Sequence, residues 1–127
     1  MYTFDKQLQT SFEAAVARTR EVLAANGFGV LTEIDVQKTM KDKLNEAMPG
    51  YVILGACNPK MAYEAIKLEP GVGAMLPCNV IVREQDNGAV EVSAIDPVAS
   101  MQAIDNDELH AVAGKVQALL SAIVKTL

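Results

Sequence analysis

Apolar residues recur at two different spacings along the chain, and these spacings predict alternating strands and helices. Spacing by two, or a short apolar run, predicts strands at residues 2–4, 28–34, 51–56, 75–83 and 90–94. Spacing by three and four predicts helices at residues 11–25, 36–44, 59–68 and 106–126. The order β-α-β-(α)-β-α-β-β-α indicates an α+β fold: a single mixed β-sheet of about five strands with helices packed mainly on one face.

Residues that start and stop secondary structure support these boundaries. Thr10 and Glu13 form a capping box before the first helix, and Asp105 and Glu108 form another before the last. The sequence Asp86-Asn87-Gly88 favours a tight hairpin turn between the last two strands. No linker, repeat or low-complexity tract divides the chain, so we interpret residues 1–127 as a single α+β domain.

The strand at residues 51–56 is apolar on both faces. A strand without a polar face is usually covered on both sides, and the second cover can come from another protein chain. The predicted last helix is also long, about 31 Å at 1.5 Å per residue. It must therefore cross the whole sheet or reach past it to a partner, and both features favour a homodimer.

Composition and charge narrow the classes of partner. Trp is absent and aromatic residues make up 5% of the chain, so the core must be aliphatic. The formal net charge of −5 disfavours nucleic acid and anionic membrane surfaces. There is no apolar signal-peptide run, and no segment reaches the ~18 apolar residues of a membrane helix. We expect a cytoplasmic protein whose two cysteines are thiols.

Cys57 is the strongest candidate for chemistry. It follows the 51–56 strand and precedes Asn58 and Pro59, which suit the N-cap and first position of a helix. Unpaired N–H groups at a helix start favour a reactive thiolate and bind anions, and Lys60 can add positive potential. The same position also suits a small core residue, because free cysteine is among the most buried residue types. The sequence leaves both interpretations open.

The second cysteine, Cys78, lies near the start of the next predicted strand. If the intervening helix joins parallel strands, Cys57 lies at one end of its strand and Cys78 near the opposite end of the neighbour. At ~3.3 Å per residue the offset is about 10 Å, beyond the roughly 7 Å between Cα atoms that a disulfide allows. We therefore expect no disulfide within one chain, and the spacing has no CxxC character.

Other motifs that carry chemistry are missing. His110 is the single histidine and lies off the apolar stripe of the last helix, which argues against a metal site or a Ser–His–Asp set. The segment Gly71-Val72-Gly73 lacks the third glycine and the following helix of a phosphate loop. The acidic residues at 105–108 fit helix capping better than calcium binding. We expect no cofactor and no metal.

Three segments carry a family resemblance: Leu54-Gly55-Ala56-Cys57-Asn58-Pro59, Leu76-Pro77-Cys78-Asn79-Val80 and Ile95-Asp96-Pro97. In this order they resemble the signature of the domain of unknown function 302 family. The segment 27–30 and the region around Lys43 are also similar to that family. The resemblance implies a compact α+β domain and makes a homodimer plausible. It implies no reaction, because the family has no assigned activity.

The sequence therefore favours a homodimeric module without catalysis that binds a small molecule or a protein partner. The alternative is thiol-based sulfur or redox chemistry at Cys57. No catalytic set is assigned, and the candidate ligand or thiol site comprises Cys57, Asn58, Pro59, Lys60, Cys78 and Asn79.

Overall fold

A computed structural model describes all 127 residues of the chain. The strands are β1 (Thr3–Leu8), β2 (Gly29–Asp35), β3 (Tyr51–Cys57), β4 (Cys78–Glu84) and β5 (Val90–Ile95). The helices are α1 (Phe12–Ala25), α2 (Val36–Leu44), α3 (Pro59–Leu68), α4 (Pro97–Ser100) and α5 (Asp107–Thr126), and a 3₁₀ helix spans Pro70–Met75. The predicted α+β class and the order of the main elements are confirmed.

The five strands form one sheet in the order β1-β5-β4-β3-β2. Every neighbouring pair is antiparallel, which refines the expected mixed sheet. The parallel crossover assumed between residues 51–56 and 75–83 is wrong, because β3 and β4 pair antiparallel. Helix α3 and the 3₁₀ helix connect the end of β3 to the start of β4, and these two strand ends lie side by side. The chain therefore does not return to the opposite end of the strands.

One face of the sheet packs against α1 and α5. Alternate strand residues such as Leu54, Val82 and Val92 are fully buried there, together with Leu23 of α1 and Leu120 of α5. These side chains belong to the larger of two hydrophobic clusters. The alternation follows from the two-residue period of a strand, which places every second side chain on the same face.

A smaller cluster lies beside the first, between α3, the 3₁₀ helix, α4 and the N-terminal half of α5. It contains Ala65, Val72, Met101, Leu109, Val112 and Ala113. Helix α5 contributes to both clusters, since Val116 and Leu120 belong to the larger one. The long last helix therefore crosses the protein, which was one of the two arrangements expected from its length.

Several predicted ends move by a few residues, each for a local reason. Ser11, not Thr10, caps α1, because its Oγ accepts the N–H of Ala14 at 3.1 Å. Asn106, not Asp105, caps α5, with Oδ1 accepting the N–H of Leu109 at 3.0 Å. Strand β1 extends to Leu8 because it pairs along its length with β5. Strand β4 begins after Pro77, which has no N–H to donate to a ladder.

No helix of the chain has both the length and the apolar character needed to span a membrane.

Candidate ligand pocket

A cavity of about 300 Å³ lies where the two hydrophobic clusters meet. The ends of β3 and β4 contribute Ala56 and Cys78, and α3 contributes Ala65. Met101 and Leu109, from α4's C-terminal end and α5, form the opposite wall. We call this cavity the apolar pocket. Its walls come from five separate stretches of chain, so it depends on how the clusters are joined.

The apolar pocket contains no charged side chain. Fifteen of its 18 lining residues are hydrophobic, and the other three are Asn58, Pro77 and Pro97. Its volume is at the lower end of the range for small-molecule sites, which are mostly apolar with a few placed polar groups. The full lining is Phe28, Leu31, Ala56, Cys57, Asn58, Met61, Ala62, Ala65, Ile66, Leu76, Pro77, Cys78, Pro97, Met101, Leu109, Val112, Ala113 and Val116.

Apolar side chains that are largely exposed belong to the same lining. Leu31 is 67% exposed and Ile66 is 42% exposed, while Leu109 on the opposite wall is fully buried. Leu31 lies where the pairing of β2 with β3 shifts register between Val30 and Thr32. The bulge adds a residue on the β2 side, and Leu31 and Ile66 form the exposed rim of the pocket.

Cys57 and Asn58 mark the junction between β3 and α3. Cys57 is the last residue of β3, and Asn58 caps α3 by accepting the N–H of Met61 on Oδ1 at 3.3 Å. Pro59 occupies the first turn, where a missing N–H leaves no helical hydrogen bond unmade. Cys57 is half-buried and lines the pocket beside the helix start. The helix start predicted after Cys57 is confirmed.

The structure places Cys78 next to Cys57 in the sheet, not at the far end. Cys78 pairs with Ala56, the residue that precedes Cys57. With strands 4.7–4.9 Å apart and a rise of 3.3 Å per residue, the Cα atoms of the two cysteines are roughly 6 Å apart. The predicted offset of about 10 Å is therefore wrong, because it rested on parallel pairing. Both cysteines are free thiols in this structure.

The environment of Cys78 disfavours its thiolate. Burial and, to a smaller extent, the nearby Cys57 together raise the pKa of the Cys78 thiol from an ordinary value of 9.0 to about 11. A buried anion loses hydration that apolar walls do not replace. Cys78 therefore stays protonated at neutral pH.

The six residues proposed from the sequence divide into two groups. Cys57, Asn58 and Cys78 line the apolar pocket. Pro59 and Lys60 lie in the first turn of α3 and are exposed, and they do not line it. Asn79 points away from the pocket, because it alternates with Cys78 and lines a groove on the other face of the sheet.

Sequence reasoning missed most of the pocket wall. Residues such as Met61, Ala65, Leu109 and Val112 lie within the helices predicted at residues 59–68 and 106–126. Their spacing is that of any buried helix face, so the pattern gives no sign that a cavity lies beside them. A weak signal is the high share of alanine on α3, where Ala62 and Ala65 leave room that larger side chains would fill.

The second face of the sheet is the face opposite α1 and α5. Its side chains include Tyr51, Ile53, Ile81 and Ile95, which are half-buried, and Ser93, which is buried by its neighbours. Arg83 and Glu91 form an ion pair on this face with a distance of 2.8 Å between Nη2 and Oε1. We call this surface the open face.

Together, the antiparallel sheet, the helices packed on it and the uncharged pocket define a small α+β protein with an apolar cavity. The family model described as "Domain of unknown function DUF302" matches residues 4–127, so the chain belongs to the DUF302 family. The family resemblance inferred from the cysteine-containing segments is thereby confirmed.

A solved structure supports the same assignment. The crystal structure of an uncharacterized conserved DUF302 protein from Bacillus stearothermophilus is similar, with a TM-score of 0.92 at 25% sequence identity. The alignment covers 98% of this chain and 97% of that one. No curated protein matches the chain.

Proposed function

We propose that the protein is a homodimeric binding module without catalysis that takes a small, uncharged, apolar ligand into the apolar pocket. The observation that carries the proposal is a cavity of about 300 Å³ with no charged group among its 18 lining residues. Burying a charged organic ligand there would cost its hydration, and no lining side chain carries a fixed charge to pair with it. An apolar ligand gains about 25 cal/mol for each Å² of apolar surface removed from water.

Asn58 supplies polar specificity in this proposal. Its Oδ1 is used to cap α3, which leaves its amide N–H groups for an acceptor atom of the ligand. A ligand with an apolar body and one carbonyl or hydroxyl oxygen fits this arrangement. One placed polar group in an apolar cavity fixes orientation, as in most small-molecule sites.

The ligand proposal is tested with N-phenyl-1-naphthylamine, a neutral dye that fluoresces in apolar surroundings. We expect saturable binding to the wild-type chain, and weaker binding of an anionic naphthalene sulfonate of similar size. The variant Ala62→Phe places a ring into the pocket from α3 and should weaken dye binding by at least about tenfold.

The matched control is Ala118→Phe, which adds the same ring at an exposed position of α5 outside the pocket lining. It should leave dye affinity within about twofold of wild type. Equal binding by wild type and the folded Ala62→Phe variant would remove the pocket from the proposal. Preference for the anionic dye would contradict an uncharged ligand.

The dimer part of the proposal is supported by the open face. Four half-buried side chains lie there, on the side of the sheet opposite α1 and α5: Tyr51, Ile53, Ile81 and Ile95. Arg83 and Glu91 neutralise one another, so a second copy would not bury an unpaired charge at their position. Antiparallel sheets with one apolar face exposed commonly bury it against another layer.

Light scattering after size exclusion tests the dimer. We expect twice the chain mass for the wild type and a monomer for Ile81→Lys, which places a charge in the centre of the open face. Glu13→Lys is the control, because Glu13 is exposed on α1 at the opposite side of the sheet. A monomeric wild type at micromolar concentration would contradict the dimer while leaving the ligand test unaffected.

Thiol chemistry at Cys57 is the second candidate. The position of Cys57 beside the N-terminus of α3, inside a cavity that could hold a substrate, favours it. It predicts that Cys57 in the Cys78→Ser variant alkylates faster than a free thiol at pH 7, and that an apolar ligand slows the reaction. Alkylation no faster than that of a small-molecule thiol would exclude this activity.

A further inference from the structure

Four sulfur-containing residues from four different elements line the apolar pocket. Both cysteines of the chain, Cys57 and Cys78, line it, and so do Met61 and Met101. The two thiols lie on neighbouring strands one residue out of register, and the two thioethers come from α3 and the end of α4. We propose that these sulfur atoms form a binding site for a soft monovalent cation of the Cu(I) class.

The donor set selects for this class of cation. Thiolate and thioether sulfur are soft ligands that prefer Cu(I), whereas magnesium, calcium and manganese need oxygen ligands, and no carboxylate lines the pocket. Structural zinc requires four ligands of the nitrogen or sulfur type. No group of three or more His, Cys, Asp or Glu side chains is arranged so that it could hold a metal ion. A cation that accepts two thiolates, with thioether support, is therefore the one that fits.

The relative position of the thiols makes joint ligation possible. Successive strand residues point to opposite faces, but Cys57 is the last residue of β3, where the chain turns into α3. Both cysteines therefore line the same cavity at this end of the two strands. Their Cα atoms are roughly 6 Å apart, which is close enough for two side chains to meet at one ion.

Charge balance also favours the site. Binding one Cu(I) to two thiols releases two protons, leaves the copper oxidation state unchanged and gives a complex with one negative charge. The N-terminus of α3, capped by Asn58, adjoins the pocket, and the positive end of its helix dipole stabilises such an anion. Because protons are released, affinity must rise with pH.

The proposal concerns the pocket but does not depend on its apolar ligand. Anaerobic titration of Cu(I) against the chromophoric chelator bicinchoninate measures stoichiometry and affinity directly. We expect one Cu(I) per chain for wild type, and an affinity at least about tenfold lower for Cys57→Ser and for Cys78→Ser. The double variant Met61→Leu and Met101→Leu should weaken binding less than either cysteine change.

Two controls keep the result unambiguous. Circular dichroism shows whether each variant folds, and Cys78→Ala replaces Cys78→Ser if the hydroxyl is not tolerated in the pocket. X-ray absorption of the wild-type complex should show copper bound by sulfur alone. Dye binding by the wild type is measured separately, so a wild type that binds the dye but no Cu(I) shows a failed copper site and not a failed pocket.

Three outcomes would overturn the inference. Wild type could bind no Cu(I) in competition with the chelator. Either single cysteine variant could retain wild-type affinity, which would show that the thiols do not act together. Zn(II) could bind at the same two cysteines as tightly as Cu(I), which would contradict selection by soft, low-coordinate ligation.

Discussion

At the scale of single residues, Cys78 carries the clearest consequence of burial. Its pKa is raised from 9.0 to about 11, first by burial and then by Cys57. The folded chain therefore keeps this thiol protonated over a pH range in which the unfolded chain releases the proton. The stability gained from the protonated thiol is fully present below about pH 9 and is lost as the pH rises towards 11.

The alkylation of Cys78 can be followed alone in the Cys57→Ser variant. Removing Cys57 takes away the smaller cause of the shift, so the rate should reach its half-maximum well above pH 9.0 and no higher than about 11. In denaturant the half-maximum should return to the ordinary value of 9.0. The free energy of unfolding of wild type relative to Cys78→Ala should fall by about 1–2 kcal/mol across the same window. A half-maximum at pH 9 in the folded variant would show that Cys78 is hydrated.

Gly55 is a second residue whose identity is set by its neighbours. A Cβ at this position would overlap the Thr32 hydroxyl and lie 2.8 Å from Cγ of Pro77. We expect Gly55→Ala to lower the free energy of unfolding by about 1–3 kcal/mol in urea titrations, through overpacking. Adding Thr32→Ala should restore part of that loss, because it removes one of the two contacts.

Gly114 is the matched control for that substitution. A Cβ at Gly114 would meet nothing within 4 Å, and the residue lies inside α5. Gly114→Ala should therefore stabilise the chain by up to about 1 kcal/mol through helix propensity. Equal effects of the two glycine substitutions would contradict the packing explanation for Gly55.

At the scale of elements, Asn106 joins two helices that form walls of the apolar pocket. Its Oδ1 caps α5, while its Nδ2 donates to the carbonyl oxygen of Leu68 at 3.0 Å and to Oε1 of Glu69 at 3.1 Å. The end of α3 is thereby held against the start of α5. One side chain thus fixes both a helix boundary and the position of a pocket wall.

Two substitutions separate these roles of Asn106. Asn106→Ala should lower the free energy of unfolding by about 2 kcal/mol, since it removes the cap and both donated hydrogen bonds. Asn106→Ser keeps a capping oxygen and should cost roughly half as much. Both variants should weaken dye binding, because both release α3 from α5. Unchanged dye affinity in both would show that the pocket does not depend on this connection.

The sequence predicts elements far better than their arrangement. Helices α2 and α3 occur over the predicted residues because their signals are local: Asp35 and Asn58 are caps, and Pro59 follows one of them. The pairing of β3 with β4 is not local, since an apolar strand followed by a helix is compatible with either direction. The cysteine separation was wrong for that reason alone.

In the candidate site, too, only the features with local signals could be predicted from the sequence. Cys57 and Asn58 could be assigned to the pocket region because a strand end, a thiol and a helix cap follow one another directly. The opposite wall, with Met101 and Leu109, is more than forty positions away in the chain, as the numbering shows. Nothing in the pattern of those residues distinguishes a cavity wall from a filled core.

At the scale of the whole molecule, the chain keeps space open between two hydrophobic clusters. A cavity of about 300 Å³ loses packing contacts that a filled core would make. Ala113 is 2% exposed, lines this space and belongs to the smaller cluster. If the space serves a ligand, a side chain that fills it should improve stability and impair binding together.

Ala113→Val tests this opposition, because it adds two carbon atoms to the pocket wall without adding charge. We expect the free energy of unfolding to rise by about 1 kcal/mol, from newly buried methyl groups, and dye affinity to fall. Urea titration and fluorescence measure the two quantities on the same sample. Ala118→Val, exposed on the same helix, should change neither beyond the small cost of a β-branched residue. A loss of stability with unchanged binding would mean that the wall at Ala113 is already closely packed and that the ligand occupies only the part of the pocket nearer Leu31 and Ile66.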